Sequence, residues 1–155
     1  MKDLTELTER RVRRPEDKKS LLDSLTSPSG PFETLRDALV FAASVGYHNG
    51  KRIPFAKSSE QVPWAYFRDY EAFINMLATA VSGDPQVLGK DQHADKLQIF
   101  EEYANGGLSL IDDELRGNAV AAPLDVITDM VTKASSRDSV QEARDFNDLA
   151  RDLVE

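Results

Sequence analysis

The sequence predicts a mainly α-helical protein, a compact bundle of about five to six helices. Apolar residues recur at intervals of three and four along most of the chain, which is the period of a helix with one buried face. Clusters of glycine, proline and serine separate these periodic segments. With 155 residues, a hydrophobic share of 41% and no cysteine, the chain is large enough to bury a core without disulfides.

Two helices are predicted in the first third of the chain. "PEDKKSLLDSLT" begins with Pro15, which suits the first turn of a helix, and three leucines follow as its inward side: Leu21, Leu22 and Leu25. A second helix is predicted from near Phe32 to Gly46, because glycine adopts the left-handed conformation that ends many helices. Five apolar residues form its inward face: Leu35, Leu39, Val40, Ala42 and Ala43.

A short β-hairpin or extended segment is predicted near residues 51–63. Asn49-Gly50 is a strong turn signal, and "KRIPF" and "EQVPW" follow as two short pieces without helical periodicity. Pro54 and Pro63 each lack an N–H donor, so any sheet here must be short or lie at an edge.

The strongest helical pattern covers residues 64–81 and ends at the turn residues 82–85, "SGDP". The segment "DQHADKLQIFEEYANGG" predicts the next helix, with three inward residues: Leu97, Phe100 and Tyr103. This helix is predicted to stop at residues 105–107, the Asn-Gly-Gly that closes the segment.

Residues 108–117, "LSLIDDELRG", fit either a strand or a short helix, and the pattern leaves both open. A helix is predicted from about Pro123, with four inward residues: Val126, Ile127, Met130 and Val131. A separate last helix is predicted from Ser139, because Glu142 stands three residues later and completes a capping box.

The net charge of −8 is unevenly distributed. Residues 1–14 are predicted to form a basic N-terminal arm, flexible or ordered, and residues 15–155 a single helical domain. Residues 101–155 contain thirteen acidic residues against five lysines and arginines. Because phosphate contacts need basic residues, this distribution argues against duplex binding across the whole body.

Six basic residues are the candidate contacts with a partner or a phosphate: Arg10, Arg11, Arg13, Arg14, Lys51 and Arg52. The arginine density of the arm suits phosphates or an acidic partner surface. An equally supported interpretation is that these arginines pair with the acidic C-terminal half of the same chain.

No catalytic, cofactor or metal-binding motif is present in the sequence, so an enzyme is not expected. The two histidines, His48 and His93, have no ligand partner at helical spacing. The adjacent acids Glu101 and Glu102 are interpreted as a solvated helix face. No apolar leader or membrane-spanning run is visible, and a cytoplasmic protein without a membrane partner is expected.

Several segments together resemble a family of small accessory proteins encoded beside bacterial DNA phosphorothioation (Dnd) systems. The resemblance covers residues 10–115, and its markers are the arginine-rich arm ending in Pro15, "DALVFAA" leading into Gly46 and Tyr47, and "YANGG". It implies a cytoplasmic role in anti-phage defence, close to DNA and to larger modification or restriction proteins. It brings no established active-site residues.

The first hypothesis is therefore a non-enzymatic accessory protein that docks on other proteins of such a defence system, with an acidic DNA mimic as a variant. The alternative is a DNA-binding or regulatory protein that uses the basic arm. The least favoured hypothesis is a hydrolase that binds a divalent metal through three acids: Asp112, Asp113 and Glu114.

Overall fold

The computed structural model describes residues 10–152, and helices account for most of them. Five α-helices follow one another along the chain: α1 (Lys19–Leu25), α2 (Leu35–His48), α3 (Glu71–Ser82), α4 (His93–Gly117) and α5 (Pro123–Asp152). Four short 3-10 helices lie between or before them: Glu16–Lys18, Trp64–Tyr70, Pro85–Leu88 and Lys90–Gln92. The predicted mainly α fold is confirmed.

The core is centred on α4, which packs along α2 over the most extensive helix–helix contact and also contacts α3. The Phe100 ring of α4 meets the Phe67 ring edge-on, with centroids 5.7 Å apart. Most of the predicted inward residues are buried, among them Leu22, Leu25, Leu39, Ala42, Ala43, Ile74, Leu97, Phe100 and Ile127. Periodicity identified most of the core faces, because each helix buries one face against a neighbour. It was wrong at Val131, which was predicted to point inward and is exposed.

The contact between α2 and α4 is made by backbone rather than by large side chains. A Cβ atom added to Gly107 would collide with the carbonyl oxygen of Ala42, and one added to Gly46 would collide with that of Tyr103. Gly106 has the same relation to the carbonyl oxygen of Lys51, just after α2. The backbones of α2 and α4 approach so closely at this crossing that a methyl group does not fit between them.

This crossing corrects two predicted helix ends. Gly46 lies inside α2, which continues to His48, and α4 runs without interruption through residues 105–107. Neither position has a positive φ angle, whereas Gly50 and Gly83, which follow α2 and α3, have φ of 63° and 69°. Glycine allows close backbone packing at Gly46 and in residues 105–107, and it allows the left-handed conformation at Gly50 and Gly83. Residues 108–117 are consequently the last turns of α4.

Two further predictions about helices need correction. The segment 64–81 begins as a 3-10 helix and becomes α-helical only at Glu71. The last helix does not start at Ser139, because the backbone of α5 is continuous from Pro123 to Asp152. No glycine or proline occurs in residues 124–152 that could end it. The side chains of Ser139 and Glu142 lie outside the described residues.

Residues 51–63 form no regular helix or strand, and within the described part of the chain their two isolated bridges are to the N-terminal segment rather than to each other. Val12 and Val62 exchange two backbone hydrogen bonds of 2.8 Å, and Pro15 forms an isolated bridge with Ser58. Of the two predicted alternatives, a hairpin within residues 51–63 is therefore the one that does not form. No helix among residues 10–152 is long and apolar enough to cross a bilayer.

Gly107→Ala is expected to destabilise the protein strongly, because the new methyl group forces α2 and α4 apart. Overpacking of this kind costs about 3 kcal/mol, and the urea midpoint of unfolding should fall accordingly. Gly117→Ala on the same helix is the matched control, since nothing lies within 4 Å of its added Cβ. That change should be neutral or stabilise by about 0.5–1 kcal/mol. Equal midpoints for both variants would contradict the close crossing.

Candidate functional site

Two adjacent carboxylates of α4, Glu101 and Glu102, are buried rather than solvated. Their exposed fractions are 1% and 4%, so the prediction of a wet helix face was wrong. Helical spacing explains the result, because Glu101 lies four residues after Leu97 and three before Ala104, both of which are core residues. That spacing was visible in the sequence and was the signal available for finding the site.

Glu101 binds two arginines of the N-terminal arm. Arg10 makes a bidentate contact, with Nη2–Oε1 and Nη1–Oε2 distances of 2.9 and 3.2 Å. The Nε of Arg13 donates to Oε1 at 3.2 Å, and its backbone N–H donates to Oε2. The Arg13 guanidinium also lies over the Phe55 ring, 4.7 Å from its centroid. One buried carboxylate thus fixes residues 10–13 of the arm to α4.

Glu102 holds the segment that follows α2. Its Oε1 accepts from Nη2 and Nε of Arg52 at 2.7 and 3.1 Å. Its backbone carbonyl accepts from the N–H of Ile53 at 3.0 Å. The Arg52 guanidinium lies 5.7 Å from the centroid of the Tyr103 ring. The two neighbouring glutamates therefore attach two distant parts of the chain to the same turn of α4.

The three remaining predicted contact residues differ in whether their side chains contact other described residues of the protein. Arg14 is buried, donates through Nε to the backbone carbonyl of Glu60, and lies 3.8 Å from the carboxylate of the same residue. Arg11 is exposed and Lys51 is half-buried, and neither side chain has an ion pair or hydrogen bond with the described residues. Of the six predicted cations, four contact other groups of the protein, and Arg11 and Lys51 have no side-chain partner among the described residues.

The acidic triplet after the glycines does not form a site among residues 10–152. Asp112 pairs with Arg116 one turn later, at 3.0 Å, while Asp113 and Glu114 are exposed. Among the side chains that the structure describes, no group of three or more histidine or acidic residues is arranged to hold a metal ion. In the described part of the chain, the three acids therefore do not form the metal site that the hydrolase hypothesis requires.

A second cluster, which the sequence pattern did not indicate, lies at the start of α4. His93 packs edge-on against the Trp64 ring, with centroids 5.0 Å apart, and the Nζ atom of Lys96 lies 5.4 Å from the centroid of the same ring. Burial lowers the pKa of Lys96, against the opposing effect of Glu71. Burial and the nearby charges of Lys96 and Arg10 lower the pKa of His93. Trp64 brings these groups together from a distant segment.

Exposed apolar side chains occur on α5 as well as elsewhere in the described part of the chain, for example at Met76 and Val120. Val131 is 48% exposed and Leu149 is 65% exposed. A groove of 370 Å³ runs between α2 and α5 beside Val131, and its apolar walls include Phe41 and Met130. Among the described side chains of α5, those that are buried belong to its first turns, and Val131 and Leu149 are exposed beyond them.

These features define a helical protein braced by buried ion pairs, with unpartnered surface on its last helix. The family model described as "DNA sulphur modification system-associated protein 4" matches residues 11–151, so the chain belongs to that family. The match continues well past residue 115, where the resemblance seen in the sequence ended. Neither the curated proteins nor the solved structures gave a match to this chain.

Glu101→Gln is expected to destabilise the protein by about 2–3 kcal/mol, because two arginines lose their buried counter-charge while remaining partly exposed to water. Thermal unfolding followed by circular dichroism measures the effect. Glu114→Gln makes the same chemical change on an exposed turn of α4 and should alter stability by less than about 0.5 kcal/mol. A Glu101→Gln variant as stable as this control would show that the buried carboxylate does not brace the arm.

Proposed function

We propose that this protein is a non-enzymatic accessory component of a DNA phosphorothioation-linked anti-phage defence system. It acts by docking on the larger modification or restriction proteins of that system. Family membership supports the association with DNA sulphur modification. The observation that carries the docking mechanism is the exposed apolar surface of α5, which the described part of the protein does not cover.

The geometry of α5 suits a docking helix. Val126 and Ile127 are buried and Met130 is half-buried, whereas nearly every described side chain from Val131 onward is exposed. Val131 and Leu149 are 18 residues apart, about five helical turns, and therefore face the same direction. Apolar side chains aligned on an otherwise polar helix fit a groove or a matching helix on a partner.

Charge indicates the kind of partner surface. Five exposed acids lie on α5: Asp125, Asp129, Asp145, Asp148 and Asp152. Asp113 and Glu114 add to them at the end of α4, while the described cations of α5 are Lys133, Arg144 and Arg151. The excess of negative charge favours a partner with basic residues around an apolar centre, because complementary charge steers association. A basic DNA channel of a partner protein is one surface of this kind.

Co-purification of the full chain with the modification and restriction proteins of its own system tests the docking mechanism. Val131→Asp combined with Leu149→Asp should weaken binding at least about tenfold, because both changes replace an exposed apolar side chain on one side of α5 with a charge. Both side chains are exposed, so the thermal midpoint should change little.

Ser136→Asp combined with Asn147→Asp is the matched control for this experiment. It adds the same two charges to exposed positions on the other side of α5 and should leave binding within about twofold. Two results would overturn the docking mechanism: no system protein binds the unmodified chain, or the Val131/Leu149 variant binds as well as the control.

Direct DNA binding is the second candidate function, and it is favoured by the side chains of Arg11 and Lys51, which have no partner among the described residues. A salt titration with a DNA duplex should show affinity that falls as salt rises, with a slope of about 0.9 per phosphate contacted. Arg11→Glu combined with Lys51→Glu should abolish this binding. Arg116→Glu, which changes an exposed cation at the far end of α4, should not. Absence of binding at low salt would exclude this function.

A further inference from the structure

The first turn of α4 contains a largely buried lysine for which the described residues provide no counter-charge. We propose that Lys96, His93 and Arg10 form a binding site for a phosphate-type oxyanion. This inference is independent of docking through α5, because the two surfaces share no residue.

Lys96 is the central observation. The residue is only 6% exposed, and no described carboxylate lies within ion-pair distance of its ammonium group. Its Nζ atom is not among the described buried atoms that lack a hydrogen-bond partner, so the stem is covered while the ammonium group reaches the surface, 5.4 Å from the centroid of the Trp64 ring. Glu71 is near enough to oppose the fall in the Lys96 pKa, but it forms no ion pair with it.

His93 supplies a second group without a partner. It lies three residues before Lys96, so both side chains emerge from the same side of α4. Its Nε2 atom is buried and has no hydrogen-bond partner among the described residues. Burial lowers the pKa of His93, and the charges of Lys96 and Arg10 lower it further, against the opposing effect of Glu71. An anion bound here would reverse that shift.

The surrounding charge includes both signs. Arg10 and Arg13 share the single carboxylate of Glu101, which leaves one positive charge in excess. Asp91 and Asp95 lie next to this helix end and oppose that charge. The N-terminal end of α4 adds the positive end of the helix dipole, and Gln92 provides no side-chain cap there. A lysine in the first turn is unfavourable for the helix itself, so an external anion would stabilise both the lysine and the helix end.

The donors fit a tetrahedral oxyanion. The ammonium group of Lys96 offers several donors, the guanidinium of Arg10 is a quarter exposed, and protonated His93 would donate through Nε2. Phosphate oxygens accept such bonds whether the group is free inorganic phosphate or part of a DNA backbone. The chemistry at the site is the same for both sources, and they differ in what surrounds the phosphate.

The test is a titration of the two histidine rings by NMR in the full chain, in chloride and in phosphate at equal ionic strength. Bound phosphate should raise the pKa of His93, because an anion stabilises the protonated ring. His48, which is exposed on the far end of α2, is the internal control and should not respond. This measurement needs no substitution, so it does not depend on a variant that folds.

Lys96→Met keeps the packing of the side-chain stem and removes the charge. Phosphate should bind this variant at least about tenfold more weakly, since a charged hydrogen bond is lost. A short DNA duplex forms the second arm of the experiment. If the backbone is the natural source, the duplex shifts the His93 signal at lower concentration than inorganic phosphate does; if free phosphate is the source, only inorganic phosphate shifts it.

Either of these two patterns supports the oxyanion site and identifies its source. The proposal is overturned if neither phosphate nor the duplex moves the His93 titration. It is also overturned if His48 moves equally, or if Lys96→Met binds phosphate as well as the unmodified protein does. A failure of docking through α5 would leave these outcomes unchanged, so each proposal is tested independently of the other.

Discussion

The close crossing of α2 and α4 is the constraint on which the rest of the structure depends. Gly46 and Gly107 let backbone meet backbone, and Gly106 lets the chain after α2 return along α4. That approach places Arg52 and Ile53 directly against Glu102. A side chain at any of these glycines would separate the helices and remove the partners of the buried carboxylate.

A second consequence of this arrangement is that most of the predicted basic surface is used inside the protein. Glu101 holds Arg10 and Arg13, and Glu102 holds Arg52. Buried ion pairs of this kind contribute little net stability but penalise the loss of either partner, so they select one position for the arm. What the described residues leave for other molecules is an acidic and apolar α5, two cations without a side-chain partner and the cluster around Lys96.

The sequence predicted the functional setting better than it predicted the site. Its motifs indicated a family associated with DNA sulphur modification, and the family match over residues 11–151 agrees. It also predicted roles for Arg10 and Arg13. One prediction was contact with a partner or a phosphate, and the equally supported alternative was pairing with acids of the same chain. Adjacent glutamates are usually solvated, so their burial was not expected, although their spacing from Leu97 and Ala104 indicated the core face.

The sequence by itself determined the helical fold class and most of the inward faces of the helices, because amphipathic periodicity is a local property. It did not determine where helices end at glycines, since the same residue serves a left-handed turn at Gly83 and a close backbone contact at Gly107. Tertiary structure alone decided that choice, and it also decided which cations meet a carboxylate. Arg10 and Glu101 are 91 positions apart, and only the packing of α4 against the arm brings them together.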